Sequence, residues 1–185
     1  MRFGDRFLQL WRMRIASPWV VKGSRILDIG CHDGEFLDYL GNRIVESIGI
    51  DPDATTVELE TYSLLRGTFA PQSEFASGSF DATVMLATLE HMNDVNGIAQ
   101  ECARILRPRG RVIITVPSLV VDQLLAVLIR TRFLDGMSIE QHHGLGPSQV
   151  PEAFVGSSFA LLTHKRFQLG LNHLYVFEKE SDLAS

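Results

Sequence analysis

Apolar side chains recur at helical spacing near the amino end, at Phe3, Phe7, Leu8, Leu10, Trp11 and Ile15, with arginines between them. That period predicts an amphipathic helix, which Pro18 closes. The period then shortens. Ile26, Leu27 and Ile29 read as a short buried strand, Gly30 and Gly34 bracket a turn, and residues 35–40 return to helical spacing. Residues 44–50 read as a second strand, 53–65 as a helix, 64–69 as a short strand, and 70–79, rich in Pro, Ser and Gly, as a loop. Residues 80–86 form a strong central strand. Asn93 or Asp94 caps a helix that runs to about Leu106, where Arg107-Pro108-Arg109-Gly110 ends it. The nearly continuous apolar run 111–116 is a buried parallel strand. Pro117-Ser118 opens an apolar helix over 119–132, residues 135–146 are irregular, and Ser148 caps a helix to about Gly156. Strands at 160–167 and 172–177 are joined by a short turn and so pair antiparallel. Repeating strand–helix units with a terminal hairpin predict an α/β fold. It has one doubly wound sheet, mostly parallel, with helices on both faces. The domain reading is an amphipathic helix over 1–20 followed by one α/β domain over 21–185.

Composition narrows the function. At 185 residues, 45% hydrophobic and 21% charged, the chain has material for one sizeable core. A net charge of −5 argues against a wholesale grip on nucleic acid. The charge is unevenly placed, because Arg2, Arg6, Arg12, Arg14, Lys22 and Arg25 face the single acid Asp5 at the amino end. A basic amphipathic helix of this kind packs across a domain, covers an acceptor site, or lies on an anionic membrane; peripheral membrane contact is the less favoured of these. Cys31 and Cys102 fall in different elements and outside any CxxC pair, which predicts free thiols in a reducing, cytoplasmic setting. Oligomeric state leaves no mark in the sequence.

The chemistry concentrates at the first turn. A strand, a glycine turn and a helix in that order place a helix amino end beside a strand's carboxyl end, offering free N–H groups to a ligand. The second strand ends in Asp51-Pro52-Asp53. An acid about 20 residues beyond such a turn is placed to hold the hydroxyls of a nucleoside ribose. The pair indicates a nucleoside cofactor without saying which.

The tract Ile26-Leu27-Asp28-Ile29-Gly30-Cys31-His32-Asp33-Gly34 resembles the first motif of class I S-adenosylmethionine-dependent methyltransferases, which are Rossmann-like proteins. Gly49-Ile50-Asp51-Pro52, Ser79-Phe80-Asp81-Ala82-Thr83 and Leu106-Arg107-Pro108-Arg109-Gly110-Arg111 follow in the family's order. Leu86-Ala87-Thr88-Leu89-Glu90-His91 resembles the loop after strand four in small-molecule and lipid branches. The resemblance implies S-adenosyl-L-methionine as cofactor, with Asp28, Gly30, Cys31 and His32 around its methionine part and Gly34 permitting close packing behind. It further implies Asp51, beside Pro52, on the ribose, Thr68 and Phe69 near adenine, and Leu86 and Ala87 on the wall near the sulfonium. Two positions depart from the family pattern. His32 stands where a middle glycine is usual, its imidazole either over the methionyl part or turned outward. Thr68 stands where an acid often takes the adenine amino group.

Methyl transfer from a sulfonium requires alignment of an acceptor lone pair and, for a weak acceptor, a base. Glu90, His91, His142 and His143 are the candidate bases, although the same residues also serve to cap helices or make structural hydrogen bonds. No short ligand spacing asks for a metal. The expected partner is a small, hydrophobic or amphipathic acceptor, methylated at oxygen, and not a nucleic acid. A nicotinamide oxidoreductase is the rival enzyme class, but Gly30-x-His32-x-Gly34 departs from its G-x-G-x-x-G fingerprint. A non-catalytic cofactor-binding module is the rival outside enzymology.

Overall fold

The computed structural model describes residues 3–118 and 149–181, with side chains from Arg6 onward. In chain order the elements are α1 (Phe3–Ala16), β1 (Ile26–Ile29), α2 (Glu35–Leu40), β2 (Ser47–Asp51), β3 (Val57–Glu58), β4 (Tyr62–Arg66) and β5 (Phe80–Leu86). Then come α3 (Val95–Ile105), β6 (Leu106–Pro117), α4 (Gln149–Val155), β7 (Phe159–Phe167) and β8 (Asn172–Lys179). The expected apolar helix over 119–132, the irregular stretch 135–146 and the Ser148 cap lie outside the described residues.

The strands form one sheet in the order β3-β4-β2-β1-β5-β6-β8-β7. The pairs β4–β2, β2–β1, β1–β5 and β5–β6 are parallel. The pairs β6–β8 and β8–β7 are antiparallel, so the terminal hairpin closes the sheet as its short turn requires. All four residues of β1 are buried, because a central parallel strand is covered on both faces.

Alternation along each strand feeds two cores. On one face Phe80, Ile114, Tyr175 and Phe177 pack with Ile98 and Cys102 of α3 and with Val150 and Phe154 of α4. On the other, Ile113, Leu174 and Val176 pack with Met13 and Ala16 of α1 and with Phe36, Leu37 and Leu40 of α2. Each fully buried aromatic or aliphatic side chain of this kind contributes about 1.5–3 kcal/mol. Helix α1 thus lies against the sheet, and the Gln168 side-chain amide donates to the Leu8 carbonyl at 2.8 Å. Its outer side leaves Phe7, Leu10 and Trp11 exposed. No helix among the described residues is long and apolar enough to cross a membrane.

Helix α3 starts where expected, with Asp94 accepting from the Gly97 N–H at 2.8 Å. One further network holds the loop that follows β4. Buried Glu101 accepts from the Ser73 N–H and hydroxyl, and Arg104 donates to Glu101 and to the Ser73 and Phe75 carbonyls. Arg104 and Ser73 hold the Glu101 carboxyl well down, at about 2.

Two sequence expectations fail. Residues 53–65 are not a helix: a turn leads into β3, which pairs antiparallel with β4. Thr55, Thr56, Val57 and Thr61 are β-branched and poor helix formers, and the sheet edge offers their backbone a partner. The Leu59 N–H closes the turn onto the Tyr62 carbonyl at 2.9 Å, so the next strand is Tyr62–Arg66 and not 64–69. Secondly, Leu106 does not merely end α3. It already pairs with Phe80, and β6 runs from there through a turn at Arg109, whose φ is 63°.

Candidate active site

The carboxyl ends of β1, β2 and β5 converge on one cleft. Leaving β1, the chain turns sharply at Gly30, whose φ is 77° and whose amide donates to the Ile50 carbonyl at 2.9 Å. A Cβ there would overlap the Thr88 side chain, so only glycine fits. Gly34, with φ 80°, precedes α2; a Cβ there would press on Leu64 at 3.1 Å. Asp51 ends β2, and its carboxylate ties two turns together. The His32 N–H donates to Oδ2 at 3.0 Å and the Asp53 N–H to Oδ1 at 2.8 Å. At the end of β5, Ala87 adopts φ 58°, uncommon for an L-residue, with its amide donating to the Thr115 carbonyl at 2.9 Å and hydroxyl at 3.1 Å.

Two cavities open here and share Gly30, His32 and Leu86. The smaller, about 260 Å³, is lined by Asp28, Cys31, Glu35 and Phe36 and roofed by Gln9, Arg12 and Met13 of α1. The larger, about 540 Å³, is lined by Asp51, Pro52, Thr68, Phe69, Ala87, Thr88, His91 and Met92. Together they make a two-lobed groove crossing the ends of the central strands, where doubly wound sheets bind ligands.

The electrostatics of the smaller lobe are unusual. Burial, and then the Asp51 charge, push the Asp28 carboxyl up to about 7. Burial and then the charges of Asp28 and Asp51 push the Cys31 thiol up to about 12, which disfavours its thiolate form. Arg12 faces this lobe with its Nε buried and no hydrogen-bond partner for that atom among the described residues. Burial lowers its guanidinium pKa, and the charge of Glu90, itself only 5% exposed, raises it.

Of the residues singled out from sequence, Asp28, Gly30, Cys31, His32, Asp51, Pro52, Thr68, Phe69, Leu86, Ala87 and His91 all line this groove. Gly34 lies behind it, in contact range of Leu64. His32 takes a left-handed φ of 49°, and its exposed imidazole turns outward to Asp33 at 3.1 Å. Glu90 lies buried in a short 3₁₀ turn, Leu89–His91, and faces the charge of Arg12. His142 and His143 lie outside the described residues. Sequence reasoning missed Gln9, Arg12, Met13, Thr88 and Met92. Arg12 left a signal, as one of the arginines threaded through an amphipathic helix, but nothing local says which of them points inward. No group of three or more His, Cys, Asp or Glu side chains is spaced for a metal among the described residues.

A family model described as "Methyltransferase domain" matches residues 2–165. The ubiquinone biosynthesis O-methyltransferase of Mesorhizobium japonicum is 24% identical over 161 residues, which are 80% of this chain and 64% of that protein. The chain therefore spans less than two thirds of that relative's length. Among solved structures, the methyltransferase complexed with the Trm112 methyltransferase activator from Haloferax volcanii superposes with a TM-score of 0.71 at 17% identity, covering 90% of this chain and 86% of that one. An S-adenosylmethionine-dependent methyltransferase from Methanosarcina mazei gives 0.66 at 18% identity, covering 91% and 98%. A family match over most of the chain, a sheet order that brings the glycine turn, the end of β2 at Asp51 and the loop after β5 around one groove, and these likenesses agree: the chain belongs to the methyltransferase-domain family, the class I fold that uses S-adenosyl-L-methionine.

Proposed function

We propose that this chain transfers a methyl group from S-adenosylmethionine to an oxygen of a small, hydrophobic or amphipathic acceptor. The observation that carries the reading is the two-lobed groove, with an acid at one end and an orphaned, buried arginine nitrogen at the other. The residues fit the cofactor. Asp51 ends β2 beside the larger lobe, where ribose hydroxyls would displace the two turn amides it now accepts or share it with them. Arg12 would take the methionine carboxylate with its free Nε, and Asp28 would face the ammonium. Thr68 and Phe69 would flank adenine, with Leu86 and Ala87 beside the reacting centre. When bound, the cofactor supplies an electrophilic methyl on sulfur, and the protein's work is alignment and proton removal.

His91 lines the larger lobe and is exposed, which supports it as the group that would take a hydroxyl proton from the acceptor. Buried Glu90 is better placed to hold Arg12 than to act as base. His142 and His143 are proposed as further candidates from sequence alone. Helix α1, proposed as a separate unit over 1–20, roofs the smaller lobe through Gln9, Arg12 and Met13 and so serves as a lid at the methionine end. The exposed Phe7, Leu10 and Trp11 on that helix support an apolar acceptor arriving from this side. The name of the relatives, which are O-methyltransferases of ubiquinone biosynthesis, supports oxygen as the acceptor atom and a hydrophobic acceptor.

The test is incubation of the protein with methyl-labelled cofactor and separate polar and lipid metabolite fractions, followed by mass spectrometry for a labelled product. A labelled product from the lipid fraction is expected. A product confined to the polar fraction removes the lipophilic acceptor. Tight cofactor binding with no turnover in either fraction makes the chain a binding module.

A further inference from the structure

A second cleft of about 490 Å³ opens at the opposite pole, where β1, β5 and β6 begin and β8 ends. Its walls are the turn Lys22–Gly23–Ser24, Asp81, the stretch from Arg107 to Arg111, and Glu178, none of which line the cofactor groove. Lys22, Arg107, Arg109 and Arg111 outnumber Asp81 and Glu178 there, in a chain whose net charge is −5. Cations from two separate stretches, the 22–24 turn and residues 107–111, thus converge on one concave site.

The four are not equivalent. Arg107 is held by its own partners, with Nη1 at 2.5 Å from Asp81 Oδ1 and Nε donating to the Gly78 carbonyl at 3.3 Å. It is a fixed wall. Arg109 and Arg111 share one carboxylate, each Nε standing 3.7 Å from a different Glu178 oxygen, beyond hydrogen-bond range. Arg111 is oriented by donation to the Trp19 carbonyl at 3.2 Å, while Arg109 is 79% exposed on a left-handed turn. Lys22 is exposed on the facing turn. Two guanidinium forks with unfilled geometry, and an ammonium across from them, match a tetrahedral oxyanion that accepts from several directions. Among the described residues the lining holds no aromatic side chain on which a base would stack, and the cleft is concave and local, which disfavours a nucleic-acid strand.

We propose that this cleft is a binding site for a phosphorylated small molecule, its phosphate or diphosphate clamped by Arg109, Arg111 and Lys22 against the Arg107–Asp81 wall. Glu178 is the built-in competitor. Its carboxylate faces both arginines at 3.7 Å and offsets their mutual repulsion, and an entering phosphate takes its place.

Inorganic pyrophosphate titrated into the full chain by calorimetry is the test, with S-adenosylhomocysteine binding as the measure of an intact fold. Wild type should bind pyrophosphate, more weakly as salt rises from about 50 to about 200 mM. Arg109→Glu should weaken it about tenfold or more, while Glu178→Gln should tighten it, since a competing anion is lost. S-adenosylhomocysteine affinity should be unchanged in both. Absence of pyrophosphate binding at about 10 mM, far above the affinity of a built site, would overturn the proposal. So would binding that Glu178→Gln fails to tighten, an arm that decides the matter even if Arg109→Glu does not fold. Preference for single-stranded RNA over pyrophosphate would reject a small-molecule ligand.

Discussion

Asp28→Asn should make the cofactor-free protein more stable and a worse binder, by an amount set by pH. The Asp28 carboxyl moves from 3.8 in the unfolded chain to about 7 in the fold, chiefly through burial and secondly through Asp51. An acid whose pKa is raised by folding favours the folded state only while protonated. Stability is therefore lost as pH rises from about 4 through about 7, because the unfolded chain ionises freely and the folded one does not. At ~1.4 kcal/mol per pH unit, the cost of ionising Asp28 grows to ~4 kcal/mol by about pH 8, as an upper bound. Asparagine carries no such cost. The stability gap between variant and wild type in urea denaturation should widen by ~2–3 kcal/mol between about pH 5 and about pH 8. Packing differences cancel in that comparison, since they do not depend on pH. S-adenosylhomocysteine should close the gap, because an ammonium beside Asp28 stabilises the ionised form. A gap that stays constant across this range would refute the reasoning.

Other perturbations read different parts of the account. Arg12→Gln should weaken S-adenosylhomocysteine binding by about 2 kcal/mol, while methylthioadenosine, which lacks the amino-acid end, binds as to wild type; calorimetry with both ligands checks this. Glu101 is held at about 2 in the fold, so its stabilisation is present at neutral pH and disappears as pH falls from about 4.5 to about 2. Glu101→Gln should accordingly unfold more easily at neutral pH, with the difference from wild type vanishing in acid titrations followed by circular dichroism. His32→Gly should fold at least as well as wild type, since glycine suits φ 49°, and should keep its turnover because the imidazole points outward. Loss of turnover with cofactor binding intact would give that ring a role. Both thiols are buried, with pKa values near 12, so a thiol reagent should label neither in the folded chain and both in urea.

The groove was readable in the sequence because its signals are local. Gly30 and Gly34 mark positions of positive φ, and Asp51 marks the end of a strand whose neighbour is fixed by right-handed crossover. The hairpin at the carboxyl end was equally plain, from two alternating strands with a turn too short for a crossover. Residues 53–65 misled because a stretch between two strands reads as the helix of a strand–helix repeat, while its actual state is decided by pairing at the sheet edge. Arg12 was hidden for a related reason. Which face of an amphipathic helix turns inward depends on where the helix docks, and α1 docks through Met13 and Ala16, bringing Arg12 to the lobe that Asp28 also lines. Glu90 follows the same rule, since the arginine whose charge it faces, Arg12, lies far away in sequence.

The central claim is that one groove holds S-adenosylmethionine between Asp51 and Arg12. Calorimetric titration of S-adenosylhomocysteine into wild type and Asp51→Ala tests it most directly. The account predicts saturable one-to-one binding to wild type and a loss of roughly 2–4 kcal/mol in the variant, the cost of leaving buried polar partners unpaired. Equal binding by both proteins, or a wild type that takes up NADH and ignores S-adenosylhomocysteine, would contradict it.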